Sequence, residues 1–231
     1  MSRYALMRTW PAPEMSRPGC VWTHALLLEP SLFEEMCDLS MLRLLMARPQ
    51  GDGDRERYRR GLVVPISTCD VSSRRTSTAI DLVPALLSAL YGVANGIVSV
   101  DEPGDLDDSL FAVWSQQWPR LRRNLRFQTA AARDLQLSGG ARFDVSVMLR
   151  NSSSHSTISS TPEGSWLPAA ASDVERPDGN LRRFLWRYGA DVRRQRGSFR
   201  PLVEVKLLHD VSEPDAGSRV LGIVTESFPN L

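Results

Sequence analysis

The residue pattern predicts an α+β protein, a mixed or antiparallel sheet flanked by helices. Three observations carry this. Short runs of β character recur at Tyr4–Trp10, Cys20–Leu28, Leu62–Ile66, Ile97–Val100 and Phe143–Leu149. Segments of helical spacing stand between and after them, as at Asp105–Trp118 and Leu181–Tyr188. The 231 residues, 42% hydrophobic and 24% charged, have a globular composition and are enough to bury a core.

Tyr4–Trp10 alternates apolar and polar side chains and reads as a strand. A Pro-rich connection from Pro11 to Pro18 follows, with Gly19 suited to a tight turn. In Cys20–Leu28 the period of two puts Cys20, Trp22 and His24 on one face, and Val21, Thr23 and Ala25 on the other. Both faces are apolar enough to be partly buried, and the two runs pair as a wide hairpin. Ser31 with Glu34 three residues on is a capping box, opening a helix whose apolar face is Leu32, Phe33 and Met36. Leu39–Met46 is a second helix, stopped by Pro49. The polar, charged run Gln50–Arg60 reads as a solvated loop.

Thr76–Leu90 is helical in pattern, with Pro84 placed near its first turn. Asn95-Gly96 turns into the strand Ile97–Val100. Leu106, Leu110, Val113 and Trp114 form a helical stripe, Pro119 opens a second helical turn, and Leu125–Thr129 is a strand. Asn151–Thr161 is a Ser/Thr stretch without apolar surface to bury. It divides the chain into an α+β domain over 1–150, a loop or linker over 151–180, and a small helical or strand subdomain over 181–231 that packs on the first. There Leu181–Tyr188 is a helix stopped by Gly189, Phe199–Leu208 fits helix or strand, and Val220–Thr225 has β character.

The net charge of +1 points to neither nucleic acid nor an acidic membrane. Three cysteines, odd in number and widely spaced, suggest reduced thiols rather than a disulfide framework. No signal peptide or bilayer-spanning run stands out, so a soluble, cytoplasmic protein is expected. Phosphate-loop, nucleophile-elbow, zinc-protease and dinucleotide fingerprints are all absent, and no cofactor is expected.

Three constellations could carry chemistry. Cys20 and His24 share a face but stand about 13 Å apart on a strand, from the rise of about 3.3 Å per residue. They cannot form a dyad, and companion zinc ligands are missing. Glu204 and Lys206 would share a face on a strand, as in one half of a metal-dependent nuclease site. Asp191 or Asp144 would then supply the second acid. Arg120, Arg122, Arg123 and Arg126 lie beside Trp118 and Phe127, a pairing of cations and aromatics that suits a protein or nucleic-acid partner. It also suits a charged face over a buried aromatic. Arg182, Arg183, Arg187, Arg193, Arg194 and Arg196 form a second basic run.

Arg8-Thr9-Trp10 and the string Arg17-Pro18-Gly19-Cys20-Val21-Trp22-Thr23-His24-Ala25-Leu26-Leu27-Leu28 resemble the start of the bacterial GTPase-associated proteins. Gln116 through Arg123, Phe143-Asp144-Val145, Phe184-Leu185 and Tyr188 through Val192 extend the likeness. These are accessory components of NTP-dependent, anti-phage conflict systems. The resemblance implies the N-terminal region of a longer, non-enzymatic adaptor that works beside a GTPase or effector subunit. It carries over no catalytic residue. The reading is a partner-binding protein, with Trp118, Arg120, Arg122, Arg123 and Arg126 as the partner surface. The alternatives are a nuclease on Asp191, Glu204 and Lys206, or a nucleic-acid-binding subunit.

Overall fold

The computed structural model describes residues 3–64, 82–92, 96–100, 106–131, 143–149, 164–176, 178–211 and 214–228. The chain divides into two units, Met1–Asp70 and Val71–Leu231.

In the first unit, β1 (Tyr4–Pro11) and β2 (Val21–Leu28) pair antiparallel, from Tyr4 opposite Leu28 to Pro11 opposite Val21. The Pro-rich connection closes with Ala12 N–H donating to the Cys20 carbonyl at 3.0 Å, and Gly19 takes a φ of 79°. One face of this hairpin builds the core. Leu6, Leu26 and Leu28 pack with Phe33, Met36, Leu39 and Leu42, all buried. Tyr4 meets Phe33 edge-on at 5.3 Å. Each buried leucine or phenylalanine stabilises by about 1.5–3 kcal/mol. The other face is open along its whole length, which corrects the expectation of burial on both sides.

The helices of this unit are short: α1 (Leu32–Glu35) and α2 (Met41–Leu44). The capping box does not form. Ser31 already has helical backbone angles and makes no side-chain cap. Asp38 instead organises the entry to α2, accepting the Ser40 amide at 2.9 Å and the Ser40 hydroxyl at 2.7 Å. The charged run expected as a loop folds as a 3-10 helix over Asp52–Arg59. Tyr58 ties it down by donating its hydroxyl to the Ala47 carbonyl at 3.4 Å. Leu62, Val63 and Val64 form no strand, and Val63 is 96% exposed. The remainder of that expected strand lies outside the described residues. Cys37 takes part in a disulfide, which overturns the expectation of reduced thiols for that residue, while Cys20 is free.

The second unit runs α3 (Val83–Tyr91), β3 (Ile97–Val100), α4 (Leu106–Gln116), α5 (Pro119–Asn124), β4 (Phe127–Ala131), β5 (Val145–Leu149), α6 (Trp166–Val174), α7 (Asn180–Gly189), α8 (Phe199–Asp210) and α9 (Ala216–Ser227). Its strands among the described residues are parallel, in the order β3-β5-β4. Central β5 buries Val145, Ser146 and Val147 in succession, as a strand covered on both faces must. The expected strands thus fall into two separate sheets rather than one, because a run's period says nothing of its partner.

Pro84 sits in the first turn of α3, and Leu106, Leu110, Val113 and Trp114 are buried on α4, as their spacing predicts. Phe199–Leu208 resolves as helix. Val220–Thr225 is helical too, with no buried residue on α9, so its β character loses to the local chain. The Asn151–Thr161 stretch lies outside the described residues. Residues on either side of it share one core. Tyr91 stacks on Phe199 at 3.8 Å, and Gln116 bonds to Ala170 and Asp173. Composition marked a polar stretch, and the chain divides elsewhere.

Candidate functional site

The segment from Gln116 to Arg126 is the partner surface that its Trp and Arg residues predict. The structure turns half of it inward. Pro119 starts α5 and leaves Trp118 extended just before it. That geometry drives the Trp118 side chain into the core, fully buried, with its indole N–H donating to Gln195 Oε1 at 2.5 Å and its ring stacked on Phe199. Gly189 lies flat against this ring, where a Cβ would overlap the indole. Gly189 is therefore the last residue of α7 for reasons of packing, beyond any role as a helix stop.

Arg122 is fully buried as well. Its guanidinium lies 4.5 Å over the Trp186 ring and donates to the Ser115 carbonyl, while its own carbonyl accepts from Trp114 Nε1 at 3.1 Å. Trp118 and Arg122 are thus core residues, which corrects their assignment to a partner surface. Arg120, Arg123 and Arg126 are exposed. On α5 buried Arg122 and exposed Arg120 and Arg123 share one helix because residues at successive positions point about 100° apart.

Gln116 and Gln117 complete this polar core. Gln117 Nε2 donates to the Tyr91 hydroxyl at 2.7 Å, and burial holds that phenol well above its ordinary range. Gln116 Nε2 donates to Asp173 Oδ2 at 2.9 Å. Asp173 Oδ1 accepts the Arg182 amide at 3.0 Å, so a carboxylate on α6 caps the first turn of α7. Burial is the largest influence on Asp173 and raises its carboxyl, with Gln116 and Arg182 working the other way.

The nuclease constellation does not assemble. Glu204 and Lys206 lie two residues apart on α8, and two helical residues differ by about 200° in direction. Glu204 is held by Arg200 at 2.8 Å, one turn back, and Lys206 pairs with Asp210, one turn on. Asp191 is exposed after α7, and Asp144 pairs with Arg196 and accepts the Arg126 amide at 2.8 Å. Among the described residues no three His, Cys, Asp or Glu side chains could hold a metal ion. None of their helices is long and apolar enough to cross a membrane.

The open surface lies instead in the first unit. The outward side chains of the hairpin pair across it as Ala5 with Leu27, Met7 with Ala25, Thr9 with Thr23, and Pro11 with Val21. All eight are exposed and none is charged. Met7 is 65%, Leu27 62% and Val21 58% accessible. The only polar groups, the two threonine hydroxyls, bond to each other at 2.9 Å. Contiguous exposed surface of this uncharged kind is uncommon.

Beside this face, a groove of about 300 Å³ runs along Trp22, Thr23, His24 and Ala25, with Pro49, Gly51, Tyr58 and Arg59 across it. Its walls are fixed by main chain. Ala47 donates its N–H to His24 Nδ1 at 3.3 Å and accepts the Tyr58 hydroxyl through its carbonyl. The two rings meet edge to face at 4.6 Å. Trp22 donates to Glu14 at 2.8 Å, and Glu14 also takes Arg48 at 2.6 Å. Glu14's own backbone bond is the largest cause holding its carboxyl below the usual range, ahead of Trp22 and Arg48. The sequence offers Cys20 and His24 as a pair on one face and gives no sign of this groove. The aromatic His24 partner, Tyr58, sits in a stretch that reads only as a charged loop.

The first unit thus carries an open, uncharged hairpin face, and the second a buried polar cluster. Residues 1–46 match the family model of GTPase-associated protein 1, N-terminal domain type 1. That span contains both strands of the open hairpin and α1 and α2. No curated protein and no solved structure matches the chain.

Proposed function

We propose that this chain is a non-enzymatic accessory subunit that docks on a GTPase, or on an effector working with one, through the outer face of its N-terminal hairpin. The observation that carries the reading is the uncharged, exposed face of β1 and β2. It lies inside the span that resembles a GTPase-associated domain. Apolar side chains ringed by polar surface are what a docking partner desolvates. The setting we propose is a bacterial anti-phage conflict system in the cytoplasm.

The test is affinity purification of the tagged chain from its native host, followed by a nucleotide-hydrolysis assay on what co-purifies. GTP hydrolysis is expected with the unaltered chain and lost with the double variant Met7→Glu, Leu27→Glu. Hydrolysis that persists with the double variant overturns docking through this face.

A second reading rests on Arg120, Arg123 and Arg126, whose guanidinium groups are all exposed within one short stretch of the second unit. They would contact an acidic protein surface or a nucleic-acid backbone. Replacing all three with alanine is expected to abolish any DNA or RNA binding. That binding should fall steeply with salt, because each phosphate contact releases counterions. Salt-insensitive binding, or binding unchanged in the triple variant, excludes the nucleic-acid form of this reading.

A further inference from the structure

We infer that the groove along β2 is a receptor for an extended peptide, which joins the hairpin as a third strand. The argument starts from the phase of the strand pairing. Ala12 N–H bonds to the Cys20 carbonyl, so that pair and every second pair after it exchange the hydrogen bonds between β1 and β2. Trp22 with Trp10, His24 with Arg8 and Leu26 with Leu6 are therefore the bonded pairs. Thr9 and Thr23 are a non-bonded pair, in which side chains come closer, and their hydroxyls do meet at 2.9 Å. It follows that the N–H and C=O groups of Val21, Thr23, Ala25 and Leu27 point away from β1, toward the other edge of β2.

That edge is where the groove lies. Four consecutive residues, Trp22 to Ala25, line it, although their side chains alternate in face. What a ligand meets there is the strand's edge itself, with the outward amides and carbonyls of Thr23 and Ala25. Among the described residues β2 pairs only with β1, and no main-chain bond of Thr23 or Ala25 reaches across that edge. Unpaired edge groups are a template for an added strand. Side-chain specificity in such additions comes from pockets beside the edge. Here the pocket is walled by Trp22, His24, Pro49 and Tyr58, with the rings of His24 and Tyr58 fixed through Ala47. The occupant is thus a partner's extended segment, with one apolar side chain turned toward these rings and no proline where it pairs.

The site shares Thr23 and Ala25 with the outer face of the hairpin but differs in what it recognises, main chain at an edge rather than side chains on a face. The experiment selects a phage-displayed library of random linear peptides on the full chain. An enriched peptide is then synthesised in plain form and with single N-methyl groups along its backbone. Fluorescence polarisation reads the affinity of each form. Methylation at alternating positions is expected to weaken binding about tenfold, the loss of one or two hydrogen bonds. Ala25→Pro, which removes one outward N–H and leaves the bonds to β1 intact, is expected to do the same, while Ala25→Ser is expected to bind normally. Ala5→Glu is expected to leave peptide affinity within about twofold, since neither Ala5 nor its cross-strand partner Leu27 lines the groove. The two proposals therefore fail independently. Failure to enrich any peptide, or an affinity indifferent to every N-methyl group, overturns the inference without any protein variant having to fold.

Discussion

The two units of this chain treat polar atoms and apolar surface in opposite ways. The second unit sends a Trp, two Gln and an Arg from one short segment into its core, where each donates at least one hydrogen bond to a neighbour within the unit. The first unit leaves eight uncharged side chains and a strand edge facing water. A two-stranded hairpin is marginal alone, so the N-terminal strands depend on α1, α2 and the 3-10 helix over their inner face. The difference separates what holds the chain together from what is left to bind. Stability is concentrated in residues that look like a binding motif, and open surface in residues that look like a core.

The contrast breaks first at Trp118. Replacing it with alanine empties a fully buried site and is expected to destabilise by about 3–5 kcal/mol, read by denaturant unfolding. A cost near zero would return Trp118 to the surface and undo the comparison. Gly189→Ala tests the same contact from the other side. The new methyl overlaps the Trp118 ring, and overpacking of this kind costs about 1–3 kcal/mol. In a Trp118→Leu background the cost of Gly189→Ala should largely vanish, since the ring it strikes is gone. Equal costs in both backgrounds would show that the two residues do not touch.

Asp173 gives a pH signature of this buried network. Its carboxyl is held above the ordinary range, chiefly by burial. The folded chain therefore binds that proton more readily than the unfolded chain does. The contribution of Asp173 is full below the ordinary carboxylate range and declines as pH rises to its raised value. Asp173→Asn cannot titrate, so the variant should gain on the parent across that window. Stability curves of the two proteins that run parallel through it would refute the assignment.

How much of this was legible beforehand follows from what each signal reports. The stripe of α4 and the Pro at the start of α5 came through because helical spacing and a missing N–H are local properties. The paired N-terminal strands were legible for the same reason. The open face was not, because Val21, Thr23, Ala25 and Leu27 differ little in polarity from Trp22, His24, Leu26 and Leu28. Only the position of Phe33 and Met36 decides which set is covered. Arg122 was misread because an arginine is most often solvated, and only the Trp186 ring over it explains the exception. Glu204 and Lys206 were ambiguous because a short apolar run fits strand or helix, and a helix puts them on different sides.

The smallest expected effect on stability is the most discriminating for function. Met7→Ser with Leu27→Ser replaces two side chains that are already more than half exposed. Surface changes of this kind shift stability by about 0.5 kcal/mol or less. If the outer face were part of the core, the same pair would cost several times more. The face should nevertheless make itself felt in solution, because uncharged apolar surface associates with itself when no partner covers it. Static light scattering at rising concentration is expected to show weaker self-attraction for the double variant than for the parent, at unchanged unfolding midpoint. A lowered midpoint with unchanged scattering would mean that these residues support the fold, and the proposed docking face would have to be sought elsewhere.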